Sequence, residues 1–425
     1  MTVYLRNATF IDWETLEFKR GHMAVSTLQN NEPEFVSKVP DPKDLAPQDT
    51  IVDCHNKLVT KSFVCGHHHI YSTLARGMPA PTKNPENFVE ILKYIWWNLD
   101  KNLDLEMIRA SALAAALYCA KNGVTFVIDH HASPFAVRGS LDVIKESFDA
   151  VGISHLLCYE ISDRDGEQSR DEGFQETEAY LQNNQQGLVG LHASFTVGGK
   201  TLERAVALAK NYNSGIHIHV AEDKADQTAC EEKYNTRVIH RLAAAGALDL
   251  PKTILGHCVH LNESEADLLK NSQAWVVENV ESNLNNNVGL ADYSRYGSNI
   301  MLGTDGMHND MLRSAKSAFF VGQTTESIDF IGAYQRFRAA HRYLSGNGFK
   351  GDGNNNLVIF EYDPPTEINQ DNFLGHFMYG LESSHVTDVI SNGKLIVKNK
   401  ALQTLPEKET LSFAREMGKR LWEKL

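Results

Sequence analysis

Two rhythms of apolar residues run through this chain. Between about residues 61 and 345, short apolar runs alternate with stretches whose apolar residues repeat at helical spacing. The short runs fall at 63–65, 124–128, 153–158, 188–191, 216–220, 253–255, 275–277 and 300–302, and each reads as a buried strand. Helices are expected between them over 105–121, 141–150, 202–211, 236–247 and 263–270, with Thr201 where an N-cap would sit. Alternation of this kind implies a parallel sheet, and eight units are enough to close a (β/α)8 barrel. The expected fold class is therefore α/β, with a TIM barrel over 61–354.

The flanks have strand character instead. Residues 3–12, 23–27 and 51–54 are apolar or β-branched and are separated by polar loops carrying Pro33, Pro40, Pro42 and Pro47. After residue 355 come a strand at 356–362 and a hairpin at 388–397. The pair Asn392-Gly393 marks the hairpin turn. An amphipathic helix is expected over 407–425. The simplest organisation joins 1–60 and 355–425 in one small composite β-sandwich domain, with the barrel inserted between its halves.

The chemistry gathers where the barrel strands end. The first run leads into Cys65-Gly66-His67-His68-His69. Side chains two apart on a strand share a face, so His67 and His69 can reach one ion. The fifth run ends in His217-Ile218-His219-Val220-Ala221-Glu222, the sixth leads to His257, and the eighth leads to Asp305. Barrel active sites form at the C-terminal strand ends. Together these residues describe one metal site shared among strands. Spacing alone does not choose between His217 and His219. The fourth run leads into His192.

Composition narrows the setting. A formal net charge of −13 over 425 residues disfavours nucleic acid and anionic membranes as partners. Six cysteines, with no CxxC pair, read as buried free thiols in a reducing compartment. No signal-peptide pattern and no run of about 18 apolar residues is present, so a cytoplasmic protein is expected.

Several stretches together resemble the amidohydrolase superfamily, in its branch of mononuclear-metal deaminases and chlorohydrolases, and within it the SsnA-type aminohydrolases. They are 66–77 around the histidine run, Trp96-Trp97, Asp129-His130-His131, 192–197, 217–223, Ser282-Asn283 and 302–306, with 371–376 and 390–393 near the end. The chain departs from the family pattern in Lys61-Ser62, which stands where Pro-Gly is usual. It also carries Glu278-Asn279-Val280-Glu281 where a histidine-bearing loop is usual, which would place two carboxylates near substrate.

The resemblance implies a metal-dependent hydrolase that releases ammonia from a small heterocyclic substrate. Opening of a cyclic amide, dehalogenation of a ring, or a catalytically silent metal-binding role are the alternatives. It makes His67, His69, His219 and Asp305 ligands of one divalent ion, which suits Zn2+ and also Fe2+. It makes Asp305 the base, Glu222 the proton carrier and His257 a partner of the attacking water or of substrate oxygen. Tyr71, Arg76, Trp97, His131 and His192 are placed around the substrate, with Arg76 suited to an anionic or carbonyl group. A homo-oligomer, a dimer or larger, is also implied. With Asp305 as base, Asp305→Asn is expected to lose nearly all turnover while keeping the wild-type circular dichroism spectrum; substantial residual turnover contradicts the assignment.

Overall fold

The structure is a computed structural model that describes residues 1–27, 32–184 and 186–425. Five strands come first: β1 (Thr2–Ile11), β2 (Phe18–Ser26), β3 (Glu34–Val36), β4 (Thr50–Asp53) and β5 (Leu58–Lys61). After Ser62 the chain enters the parallel strands β6 (Phe63–His68), β7 (Val124–His131), β8 (Ser154–Ile161) and β9 (Val189–Ala193). These continue in β10 (Ile216–Val220), β11 (Ile254–His257), β12 (Trp275–Glu278) and β13 (Ile300–Leu302). All eight expected runs are strands, paired in chain order from β6 to β13. The ring closes where β13 returns to β6: His68 and Asp305 form a parallel bridge, and the Thr304 and Asp305 amides donate to His67 O at 2.9 and 3.2 Å. The strands β14 (Leu357–Phe360), β15 (Val386–Ser391), β16 (Lys394–Lys398) and β17 (Ala401–Leu402) follow.

Alternation along the barrel strands sorts side chains into two layers. Val127, Leu157, Leu191, Ile218, Leu255 and Val276 face the surrounding helices as part of one large core. Val64, Phe126, Ile128, Leu156, Cys158, Leu188, Val277 and Met301 fill the lower interior. The helix Phe330–Gly346 plugs that end with Ala339, Ala340, Tyr343 and Leu344. Above this floor the inward positions change to His, Glu and Asp.

In β6 the alternation breaks. Cys65 pairs with Val127 and His68 with Asp129, so three steps along β6 oppose two along β7. An extra residue of this kind is a β-bulge, which re-aims the side chains that follow. Gly66 still faces inward, where a Cβ would lie 2.7 Å from Leu302 O. Beyond the bulge, His67 and His69 turn into the barrel. His68 turns out, and its Nδ1 lies 2.7 Å from Asp305 O and its Nε2 2.9 Å from Asn309.

The flanking strands meet in one mixed sheet, ordered β17-β16-β15-β14-β5-β1-β2-β3, with β4 also on β1. The β15–β16 turn has positive φ at Asn392 (48°) and Gly393 (74°), as a two-residue hairpin loop requires. The final helix, Glu407–Trp422, packs on the barrel helix Leu105–Lys121. Trp422 Nε1 donates to Leu74 O at 2.8 Å, and Lys121 pairs with Glu407 at 2.8 Å. Thr201 is not an N-cap: the helix Gly199–Asn211 begins earlier, with Gly198 at its cap, and the Thr201 hydroxyl donates to Asp163 at 2.8 Å. Among the described residues no helix is long and apolar enough to cross a membrane.

Arg338 fastens the sheet to the barrel. It is 2 % exposed, donates to Lys61 O and Ser62 O at 3.1 and 2.8 Å, and lies against Phe63 and Phe337. Arg338→Ala leaves those buried carbonyls without a donor and is expected to cost about 3 kcal/mol, read as a lower urea midpoint at unchanged slope.

Candidate active site

The histidines at the strand ends are buttressed from behind. His69 Nδ1 lies 2.6 Å from His130 O, and His219 Nδ1 lies 2.8 Å from His192 O. A carbonyl only accepts, so each Nδ1 carries the proton and each neutral ring points its Nε2 lone pair into the barrel. Those two Nε2 atoms stand 3.1 Å apart. Two lone pairs at that distance repel unless something positive lies between them. His67 joins them: its Nδ1 is 2.9 Å from His217 Nε2, and its own Nε2 is buried with no hydrogen-bond partner. His217 therefore stands behind His67, with Cys158 Sγ 3.6 Å beyond it. The fold separates two residues that spacing left equivalent, because His219 reaches the centre and His217 buttresses.

Asp305 completes the ring, with Oδ1 3.0 Å from His69 Nε2 and 3.6 Å from His67 Nε2. Ligand atoms of His67, His69 and His219 lie within 4.8 Å of one another, as do those of His67, His257 and Asp305. Burial opposes charge on His69, but with no cation in the centre the Asp305 carboxylate outweighs it and raises the ring to about 9, so either that proton or a cation separates the two Nε2 atoms. Burial opposes ionisation of Asp305 too, yet the His67 and His69 rings beside it hold it well below the usual carboxylate range. The centre therefore attracts positive charge. Three imidazole nitrogens, each oriented by a second partner, together with one carboxylate fit a divalent cation in the manner of zinc.

Glu222 and His257 stand at the edge of the centre. His257 Nδ1 is 2.8 Å from Asn283 Oδ1, and its Nε2 lies 3.5 Å from Glu222 and 3.8 Å from Asp305. Asn286 donates to Glu222 Oε1 at 3.2 Å. Burial, with Asp305 adding to it, raises the Glu222 carboxyl, as a group that carries a proton requires. Ala221, His257 and Asp305 all have positive φ (43°, 65° and 48°), a conformation costing roughly 1–3 kcal/mol per non-glycine residue and concentrated at functional sites.

These groups form the floor of a cavity of ≈ 790 Å3, including its open mouth. Tyr71, Trp97 and His192 line it, as the sequence suggested. Arg76 and His131 do not. Arg76 is turned away, donating to Asn309 and lying over the Tyr118 ring. His131 is buried, with Nε2 2.9 Å from Ser133 Oγ and its ring against Tyr159. The two carboxylates expected near substrate also point elsewhere. Glu278 pairs with Arg336 at 2.7 Å, and Glu281 binds Arg313 and the Ser317 hydroxyl. Ser282, Asn285 and Asn286 line the cavity in their place. Sequence reasoning missed Glu160 and Asp100, both in the cavity wall, and the apolar lid of Phe88, Leu92, Phe195 and Val288. Glu160 is an inward position at a strand end, so alternation along β8 was a signal for it.

Centre and barrel together define a metal-dependent hydrolase. The family model described as the amidohydrolase family matches residues 58–343, and the chain belongs to that family. It is accordingly a hydrolase of carbon–nitrogen bonds other than peptide bonds. It is 27% identical over 403 residues to a 5-methylthioadenosine/S-adenosylhomocysteine deaminase of Syntrophomonas wolfei, covering 88% of this chain and 89% of that one. It is 25% identical over 402 residues to a 5'-deoxyadenosine deaminase of Methanococcus vannielii, covering 90% and 92%. Among solved structures, an adenosine deaminase from Xanthomonas campestris with bound zinc matches with a TM-score of 0.80 at 20% identity, over 99% and 98% of the two chains.

A cation balances the buried lone pairs only in the folded state, so its binding is linked to stability. Dialysis against a chelator is expected to lower the melting temperature, and one equivalent of Zn2+ per chain to restore it. At free metal about 1,000-fold above Kd the linkage amounts to about 4 kcal/mol. An unchanged melting temperature contradicts the centre.

Proposed function

We propose that the protein hydrolytically deaminates an aminated nitrogen heterocycle, using one zinc ion held by His67, His69, His219 and Asp305. The observation that carries this reading is the 3.1 Å approach of the His69 and His219 Nε2 atoms, each with its Nδ1 proton committed to a carbonyl. A divalent ion at that point supplies water acidified to near neutrality and polarises the electrophile.

The remaining steps belong to the chain's own residues. Asp305, ionised and facing His257 at 3.8 Å, orients the attacking water and receives its proton. His257, fixed by Asn283, stands between Asp305 and Glu222 and stabilises charge developing on the ring. Glu222 retains a proton and delivers it to the departing amine. Tyr71, Trp97 and His192 border the ring, and the aromatic lid limits access of bulk water. The six cysteines are buried and free, which supports a reducing compartment such as the cytoplasm.

Ammonia release from aminated purines and their nucleosides, pterins, pyrimidines and triazines tests the reading with zinc-loaded protein. One ring class is expected to release ammonia. Glu222→Gln is expected to lower kcat on it by about 10^2- to 10^4-fold at unchanged metal content. Ring-opened products without ammonia, or full activity in Glu222→Gln, contradict it.

A further inference from the structure

Glu160 ends β8 in the cavity wall, and nothing in the steps above uses it. It is 6 % exposed. One of its oxygens lies within 4.8 Å of nitrogens of both His130 and His219, so it borders the reacting centre. Its Oε2 is 3.3 Å from His130 Nδ1, and its Oε1 is 3.8 Å from Arg164, too far for a hydrogen bond. His130 presents its other nitrogen to Leu191 O and His217 O at 3.1 and 3.2 Å.

Glu160 shares its nearest arginine with two other carboxyl groups. Arg164 is shared among Glu160, Asp100 and Asp165, and Asp165 also holds Lys101 at 2.8 Å. Three carboxyl groups thus share one arginine and one lysine, with the His130 imidazole beside Glu160. Asp100, 1 % exposed, lines the cavity too, and its Oδ1 is buried with no hydrogen-bond partner. Among the described residues no arginine or lysine lines the cavity. Burial opposes ionisation of Glu160, but His192, His130 and Arg164 hold its carboxyl well below the usual range. This wall therefore offers the Glu160 carboxylate to whatever ring sits over the centre, beside an Asp100 carboxyl that burial pushes up to about 7, and a buried acceptor left without a donor is costly.

We propose that Glu160, backed by Asp100, selects the substrate by accepting a ring N–H, so that the site takes free heterocycles with an N–H edge, such as lactam-bearing purines, pterins and pyrimidines. N-substituted rings such as nucleosides of 6-aminopurine are disfavoured, because their in-plane ring nitrogens are acceptors that face the carboxylate. The proposal rests on the deaminase reading only for the position of the ring.

Calorimetric binding to zinc-loaded protein tests it without turnover. The probes are hypoxanthine against 1,9-dimethylhypoxanthine, and uracil against 1,3-dimethyluracil. In each pair the methylated ring has no N–H. The wild type is expected to bind at least one N–H ring about 10- to 100-fold more tightly than its partner. Glu160→Gln is expected to lose most of that preference while its Kd for the methylated ring and its single metal equivalent stay unchanged. A merely structural Glu160 would weaken both members of a pair alike, which overturns the proposal. So does equal binding by the wild type, binding of neither N–H ring, or loss of a metal equivalent in Glu160→Gln, which would make Glu160 a ligand. If Glu160→Gln does not fold, Asp100→Asn serves: it frees Arg164 to neutralise Glu160, and an undiminished preference overturns the proposal. Ammonia released from nucleosides alongside equal binding overturns this inference alone. A preference for N–H rings with no ammonia from any substrate overturns the deaminase reading alone.

Discussion

Lone pairs forced together in a buried place govern this molecule. His67, His69 and His219 aim unprotonated nitrogens at one point, with the Asp305 carboxylate beside them. No hydrogen bond between the neutral His69 and His219 rings relieves that arrangement, because their protons are committed to His130 O and His192 O. A cation resolves it. Much of the upper barrel exists to hold this geometry, including the carbonyls behind the rings, the bulge in β6 and the left-handed turns at Ala221, His257 and Asp305.

The barrel keeps the two demands on its interior apart. Its lower layers are apolar and sealed by the helix Phe330–Gly346, so close packing stabilises the ring of strands without reference to chemistry. Its upper positions carry the ionisable groups, where each strand leaves the sheet and its backbone becomes free to bend. Closure links the two, since the amides that follow β13 bind His67 O, and the same turn sets Asp305 beside His67 and His69.

Charge in the cavity wall is organised on the same plan. Residues that look alike in sequence are divided by their partners. Glu278 and Glu281 are bound by arginines outside the cavity, whereas Glu160 and Asp100 share Arg164 and still face inward. The family relation accounts for a hydrolytic centre at the floor, and this acidic wall borders it.

The eight strands, their order, the hairpin at Asn392-Gly393 and the gathering of His67, His69, His219, Glu222, His257 and Asp305 at one end were all legible in the sequence. Local hydrophobic period and strand-end position carry that information, because alternation and barrel geometry follow from each segment by itself. Spacing did not choose His219 over His217; the family resemblance did, and the physical reason appears only with β10 in place beside β9, where His192 O lies behind one ring and not the other. The removal of Arg76 and His131 from the cavity, the docking of the last helix on the barrel, and the placement of Glu160 and Asp100 in the wall were likewise decided by tertiary contacts. Each of those outcomes depends on partners far away in the chain, and no local pattern records which of several possible partners a side chain meets.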